Sequence, residues 1–171
     1  KKITTIAMLL ILNYVLVAQN FTWKSGTNNV NQPGFYGLVG VPSVTNIPGG
    51  REAMVTWNDA SGNFWLFGGS GYDIIGNQGF LNDLWKYNPT TNQWTWVKGS
   101  KLADQNATYG TMGVAAIANN PGARFGASGW ADAAGNLWLF GGLGFDGAAN
   151  VGELSDVWKY NIASNQWTWM K

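Results

Sequence analysis

Between Gln93 and Val97 polar and apolar positions alternate with a period of two. Trp94 and Trp96 fall on one side and Thr95 and Val97 on the other, a pattern that predicts a pleated strand. Asn63-Phe64-Trp65-Leu66-Phe67 does not alternate. It is apolar on both sides, which predicts a strand in a sheet that is covered on both faces. Two shorter runs, Ala53 to Trp57 and Leu84 to Tyr87, read as further strands. The first two runs are joined by Asn58-Asp59-Ala60-Ser61-Gly62, and the last two by Asn88-Pro89-Thr90-Thr91-Asn92. Both joints carry the Asp, Asn, Gly or Pro that a tight reversal uses. The double glycine Gly68-Gly69 is expected to end the second strand, with a longer loop from Ser70 to Asn82 before the third.

The same pattern is written twice. Trp23 and Trp96, Arg51 and Arg124, Trp57 and Trp130, Gly69 and Gly142, and Trp94 and Trp167 are each separated by a step of about 73 residues, with no gap. Roughly half the positions of 21–98 recur identically in 94–171, far above chance. Each unit reads as Arg, an apolar strand, a strand ending in Gly-Gly, Asp-x-Trp-x-Tyr, and a final Trp. In the first unit these are Arg51, Gly68, Gly69, Asp83, Trp85, Tyr87 and Trp94; in the second, Arg124, Gly141, Gly142, Asp156, Trp158, Tyr160 and Trp167.

This order resembles the kelch motif, and the resemblance covers nearly everything after the N-terminal segment. It departs in length, since kelch repeats usually run to roughly 50 residues, and the extra residues lie mostly in the linker before each arginine. The resemblance implies an all-β chain, a β-propeller fragment of two four-stranded antiparallel blades. The blades would occupy 26–98 and 99–171, each with a long leading loop. Residues 19–25, where Phe21-Thr22-Trp23 matches Trp94-Thr95-Trp96, would supply an N-terminal strand that closes the ring.

Composition narrows the chemistry. Apolar residues make up 46% of the chain and charged residues 11%, which supports a core and argues against disorder. Eleven Trp and twenty-four Gly favour strands and tight turns over helices. With a net charge of +1 and scattered Lys and Arg, there is no footprint for nucleic acid. The chain has no Cys and no His, so it offers no disulfide, no Ser-His-Asp or Cys-His arrangement and no ordinary zinc or copper site. No cofactor or metal is expected.

Lys1 and Lys2 precede an apolar run from about Ile6 to Ala18, which reads as a signal peptide over 1–18 and places the protein outside the cytoplasm, secreted or at the cell surface. The run is shorter than the roughly 20 residues a membrane span needs, so no transmembrane span is expected. A two-faced apolar blade needs a neighbour on each side, so further blades of the same chain are expected after Lys171.

In the expected architecture the linkers 26–50 and 99–122 and the loops 70–82 and 143–155 emerge on one face. Long loops on a rigid scaffold are where binding residues sit. Candidates there are Tyr36, Tyr72, Asp73, Asn77, Tyr109, Phe145, Asp146 and Asn150. Aromatic rings among Asp and Asn suit a sugar or a protein surface; packing of the loops themselves is the competing reading. Asp73 and Asn77 could offer oxygens to calcium, although not at EF-hand spacing. Arg51, Arg124, Asp83 and Asp156 read as structural, and the tryptophans as core. Two Asn-x-Thr sequons, at Asn20 and Asn106, matter only in a host that glycosylates them.

Two functions compete: a non-catalytic scaffold that binds a protein or glycan, and the propeller domain of a galactose oxidase-like enzyme. The resemblance reaches the second only through the kelch propeller of that family, whose copper ligands include histidines that this chain lacks.

Overall fold

The computed structural model describes residues 22–171, all in strands, bridges, turns and loops, with no helix among them. The expected signal segment 1–18 and residues 19–21 lie outside the described residues. Of the expected closing strand 19–25, the described residues Thr22 to Ser25 belong to no strand, and Trp23 is largely exposed. A strand exists through its ladder partner, and no described segment offers one to these residues.

The first repeat carries β1 (Arg51–Glu52), β2 (Val55–Asn58), β3 (Phe64–Tyr72), β4 (Gln78–Asn88) and β5 (Gln93–Lys98). β3, β4 and β5 pair in order and antiparallel, and β1 and β2 both pair with β3 as two pieces of one interrupted strand. The interruption falls at Ala53, which takes a positive φ of 49°. The second repeat carries β6 (Arg124–Phe125), β7 (Ser128–Ala131), β8 (Leu137–Phe140), β9 (Leu143–Phe145), β10 (Val151–Glu153), β11 (Val157–Asn161) and β12 (Gln166–Trp169). Here the order β12-β11-β8-β7 makes a four-stranded antiparallel sheet, and β10-β9-β6 a separate three-stranded one.

Two expectations about the strands are corrected. Gly68-Gly69 does not end the second strand: β3 passes through it with a register shift between Phe67 and Gly69 and continues to Tyr72. Most of the expected loop 70–82 is therefore a hairpin extension, Tyr72 pairing with Gln78 and Ser70 with Phe80. The extension is held by the linker of the next repeat. Asp104 donates its N–H to the Phe80 carbonyl at 2.7 Å and accepts the Phe80 N–H on its carboxylate at 2.8 Å, while Ile74 N donates to Lys101 O at 3.0 Å. In the second repeat the double glycine does separate β8 from β9.

The long leading linkers turn back along the outermost strand of their own repeat. Gly40 N donates to Trp96 O at 2.8 Å and Ser43 N to Trp94 O at 3.1 Å; Gly113 N does the same to Trp169 O at 2.7 Å. Asn46 and Asn119 fasten the turns, each donating its side-chain N–H to the linker and to the carbonyl of Trp94 or Trp167. The linkers thus cover edge strands that would otherwise present open backbone groups.

The main core lies between the repeats. Val55, Trp57, Trp65, Phe67 and Leu84 of the first pack against Leu137, Leu139, Trp158, Tyr160 and Trp167 of the second. Trp65 meets Tyr160 at 5.8 Å and Phe67 meets Trp167 at 5.5 Å between ring centroids, and the Trp57 indole N–H donates to Trp138 O at 3.1 Å. On the other side of β3, Leu66 and Trp85 pack with Tyr36 in a second cluster, edged by Phe64, Ile74, Trp94 and Trp96. The non-alternating β3 is therefore apolar on both sides because it is packed on both sides.

Candidate functional site

Arginine, aspartate, tyrosine and tryptophan converge in each repeat where the linker, the first strand and the third strand meet. In the first, Arg51 grips Asp83 with both terminal nitrogens, Nη1 to Oδ1 at 2.6 Å and Nη2 to Oδ2 at 2.8 Å. Its Nε donates to Gly49 O and its Nη1 to Gly68 O. Asp83 Oδ2 also accepts from the Trp85 indole at 2.7 Å and from the Tyr36 hydroxyl at 2.6 Å. The second repeat reproduces this with Arg124, Asp156, Trp158 and Tyr109.

Burial works against the charge of Arg51, but the neighbouring Asp83 carboxylate wins and raises its pKa above the usual arginine value. Burial and then Asp83 push the Tyr36 phenol far above its ordinary range; the same pair of causes, with Asp156 as the carboxylate, pushes Tyr109 up to about 12. Burial favours the protonated form of Asp156, but the hydrogen bonds and charge of Arg124 outweigh it and hold the carboxyl below the usual range. Both phenols remain protonated donors, and each ion pair is internally satisfied. These clusters tie linker to blade and present no free acid, base or nucleophile.

The candidates assigned to one loop face are not gathered together. Tyr36 is fully buried in the cluster just described, and Asp73 is buried at a hairpin turn, so neither is offered to a ligand. Asp73 Oδ1 accepts the backbone N–H of Ile75 and Asn77, and Oδ2 that of Ala103. Its oxygens face donors, which removes the calcium reading. Asp146 caps the matching turn of the second repeat through Ala148 N, Asn150 N and Asn150 Nδ2, and these bonds hold its carboxyl below the usual range. Asn77 is exposed at its turn and Asn150 is exposed but bound to Asp146. Phe145 is partly buried against Phe80, 6.0 Å between centroids, at the junction of the repeats. Tyr109 is half-buried over Trp158, stacked at 5.2 Å.

Tyr72 stands apart from these. It borders an open cleft of about 430 Å³ between the linker residues Asn29, Val30 and Asn31 and the inner strands, where Arg51, Glu52, Ser70, Gly71 and Gln78 complete the wall. The wall combines one aromatic ring with amides, a hydroxyl and a carboxylate. Of these, only Tyr72 was picked out by the sequence as a binding candidate, Arg51 having been read as structural. The others sit in the linker and at strand ends, and the adjacency comes from β1 pairing with Ser70 and Gly71.

Sequence reasoning passed over Asn46 and Asn119, and it read Asp59 as part of a tight turn without the indole that its carboxylate, like that of Asp132, accepts from. Asp59 accepts from Ser61 N, Asn63 and the Trp65 indole; Asp132 does the same with Ala134, Asn136 and Trp138, and these hydrogen bonds bring its pKa down to about 2. Their identity between the repeats is the signal that would have found them. Among the described residues no group of three or more His, Cys, Asp or Glu gathers to hold a metal, and no helix is long and apolar enough to cross a membrane.

No family model matches this chain, and no curated protein matches it. Among solved structures it is similar to one titled "Structure of YjhT", with a TM-score of 0.52 and 18% sequence identity over 72% of this chain and 38% of that one. At that identity the likeness concerns the fold alone. The chain spans less than half the length of that structure.

Proposed function

We propose that the two repeats are neighbouring kelch-type blades of a β-propeller, and that the protein is an exported, non-catalytic scaffold that binds a glycan in the cleft beside Tyr72. Repeat-on-repeat stacking of four-stranded antiparallel sheets supports the blade reading, as does the repeated Arg-Asp-Trp-Tyr pattern. The Lys1-Lys2 and apolar N-terminal run supports export.

The observation that carries the binding reading is the cleft. A pyranose has an apolar face and a rim of hydroxyls, so it suits one aromatic ring flanked by side chains that donate and accept. Tyr72 supplies the ring. Asn29, Asn31, Ser70 and Gln78 supply neutral hydrogen-bonding groups, and Glu52 an acceptor. The cleft is formed by backbone-paired strands and by a linker tied to Gly50 through Gln32 O at 2.9 Å, so its walls are already in position.

Titration against a panel of soluble oligosaccharides, followed by calorimetry, tests the reading. Saturable binding is expected, with Tyr72→Ala weakening it about tenfold, the equivalent of about 1.4 kcal/mol. Binding that survives Tyr72→Ala unchanged, or capture of polypeptides with no oligosaccharide bound, would overturn it.

A further inference from the structure

Each linker turns back over the outermost strand of its own repeat, and the tip of that turn is apolar and open. Val39, Val41 and Val44 in the first linker and Met112, Val114 and Ile117 in the second occupy matching positions, one repeat step apart. They are between 48% and 78% exposed. Two of the three pairs differ in residue, yet all six positions stay apolar, where a solvent-facing turn ordinarily carries polar groups.

The exposure holds with a neighbour in place. The first turn has the segment that leads into the second repeat beside it, Lys101 Nζ donating to Gly37 O at 3.3 Å. The second turn has the first repeat beside it, Lys98 Nζ donating to Ile117 O at 2.6 Å. One turn is thus flanked on the side of the following repeat and the other on the side of the preceding one, and the tips stay open in both. The turns are also fixed. Asn46 holds Val41 O and Trp94 O, and Asn119 holds Val114 O and Trp167 O. The backbone N–H groups of Val41, Asn46, Val114 and Asn119 are bonded within the turns, and groups already paired lose little on leaving water.

Between the two tips lie Lys98 and Lys101. Their ammonium groups rest on the carbonyls just named, and that of Lys101 also sits 4.7 Å from the centroid of the Trp96 ring. Neither is in an ion pair: among the described residues those are Arg51–Asp83 and Arg124–Asp156. Burial lowers the pKa of Lys98 from the usual lysine value, so an anion brought to it would offset what desolvation costs. No Asp or Glu falls within 35–47, 92–102 or 106–120. The segments that build this surface therefore run apolar, basic, apolar.

We propose that the turns 39–44 and 112–117, with Lys98 and Lys101 between them, dock on an anionic phospholipid bilayer. The apolar tips enter the boundary between headgroups and acyl chains, and the two ammonium groups meet lipid phosphates. Charge favours lipid over a second copy of this chain, because a copy brings the same two lysines and no acid to meet them. A bilayer carries anionic groups over an apolar interior at every point and asks for no shaped pocket. The docking surface uses none of the residues of the Tyr72 cleft, so the glycan reading and this one can fail separately.

Co-sedimentation of the full chain with phosphatidylcholine vesicles, and with vesicles that also contain phosphatidylglycerol, provides the test. Binding is expected to the mixed vesicles, and to be about tenfold weaker to the neutral ones or in high salt. Val44→Ser with Ile117→Ser, and separately Lys98→Gln with Lys101→Gln, are each expected to weaken it about tenfold. Residues 1–18 are common to every variant, so differences between variants read the turns and the lysines. Near-ultraviolet circular dichroism checks that each is folded; the salt dependence of the wild type, which needs no substitution, stands in for a lysine pair that is not. A wild type that ignores both vesicles or binds both equally, or folded variants that bind as the wild type does, would overturn the proposal. Capture of polyglutamate in place of vesicles, lost in the same variants, would overturn it in favour of an acidic polypeptide.

Discussion

Asp83 accepts hydrogen bonds from Arg51 through two nitrogens, from the Trp85 indole and from the Tyr36 hydroxyl, and it is fully buried. Removing one member of a buried ion pair leaves the other charge without compensation, which costs about 3–5 kcal/mol. Asp83→Ala is expected to lose about that much in urea denaturation, while Asp146→Ala, whose carboxylate caps a surface turn, is expected to lose far less. A loss below about 1 kcal/mol at Asp83 would mean that water or a rearranged side chain takes over the guanidinium. The Arg–Asp partnership was legible as a structural role because both residues recur in register. Tyr36 was not, because it sits in a linker with no periodicity to show which way it points. What betrays it is Tyr109, which recurs at the same place in a linker whose other positions mostly differ.

At the scale of the strand, the double glycine behaves differently in two sequences that read alike. Gly68 and Gly141 have the same left-handed backbone, φ 65° and 67°, and Ala at either carries the strain of that conformation, about 1–2 kcal/mol. At Gly68 the added methyl group also meets the Arg124 and Leu81 carbonyls at 2.7 and 3.0 Å, against Leu154 O alone at 2.9 Å for Gly141. Gly68→Ala is therefore expected to destabilise by roughly 1–3 kcal/mol more than Gly141→Ala, through the extra carbonyl across the repeat junction. Equal shifts in thermal melts would contradict that assignment. The strands themselves were legible from alternation and turn residues. The extension of β3 and β4 was not, because the hydrogen bonds that hold it come from residues 101–104, outside the repeat that they stabilise.

Over the whole molecule, burial separates side chains that the sequence makes equivalent. Trp57 is enclosed by the second repeat and donates to Trp138 O, so Trp57→Ala is expected to cost about 3–5 kcal/mol. Trp130→Ala is expected to cost under about 1 kcal/mol because nearly half of that ring is already in water. Similar losses at the two sites in dilute denaturation would mean that the Trp130 face is covered within the single chain. The sequence by itself determined the period, the strand content, the two-faced character of the central strand and the Arg-Asp-Trp grammar of each unit, since these follow from side-chain spacing. Only the tertiary structure decided which residues of the two repeats meet in the core, where the linkers lie and which residues meet around the Tyr72 cleft. Burial is a property of what lies across an interface, and side-chain spacing along one repeat does not state which residues of another repeat or linker will meet it.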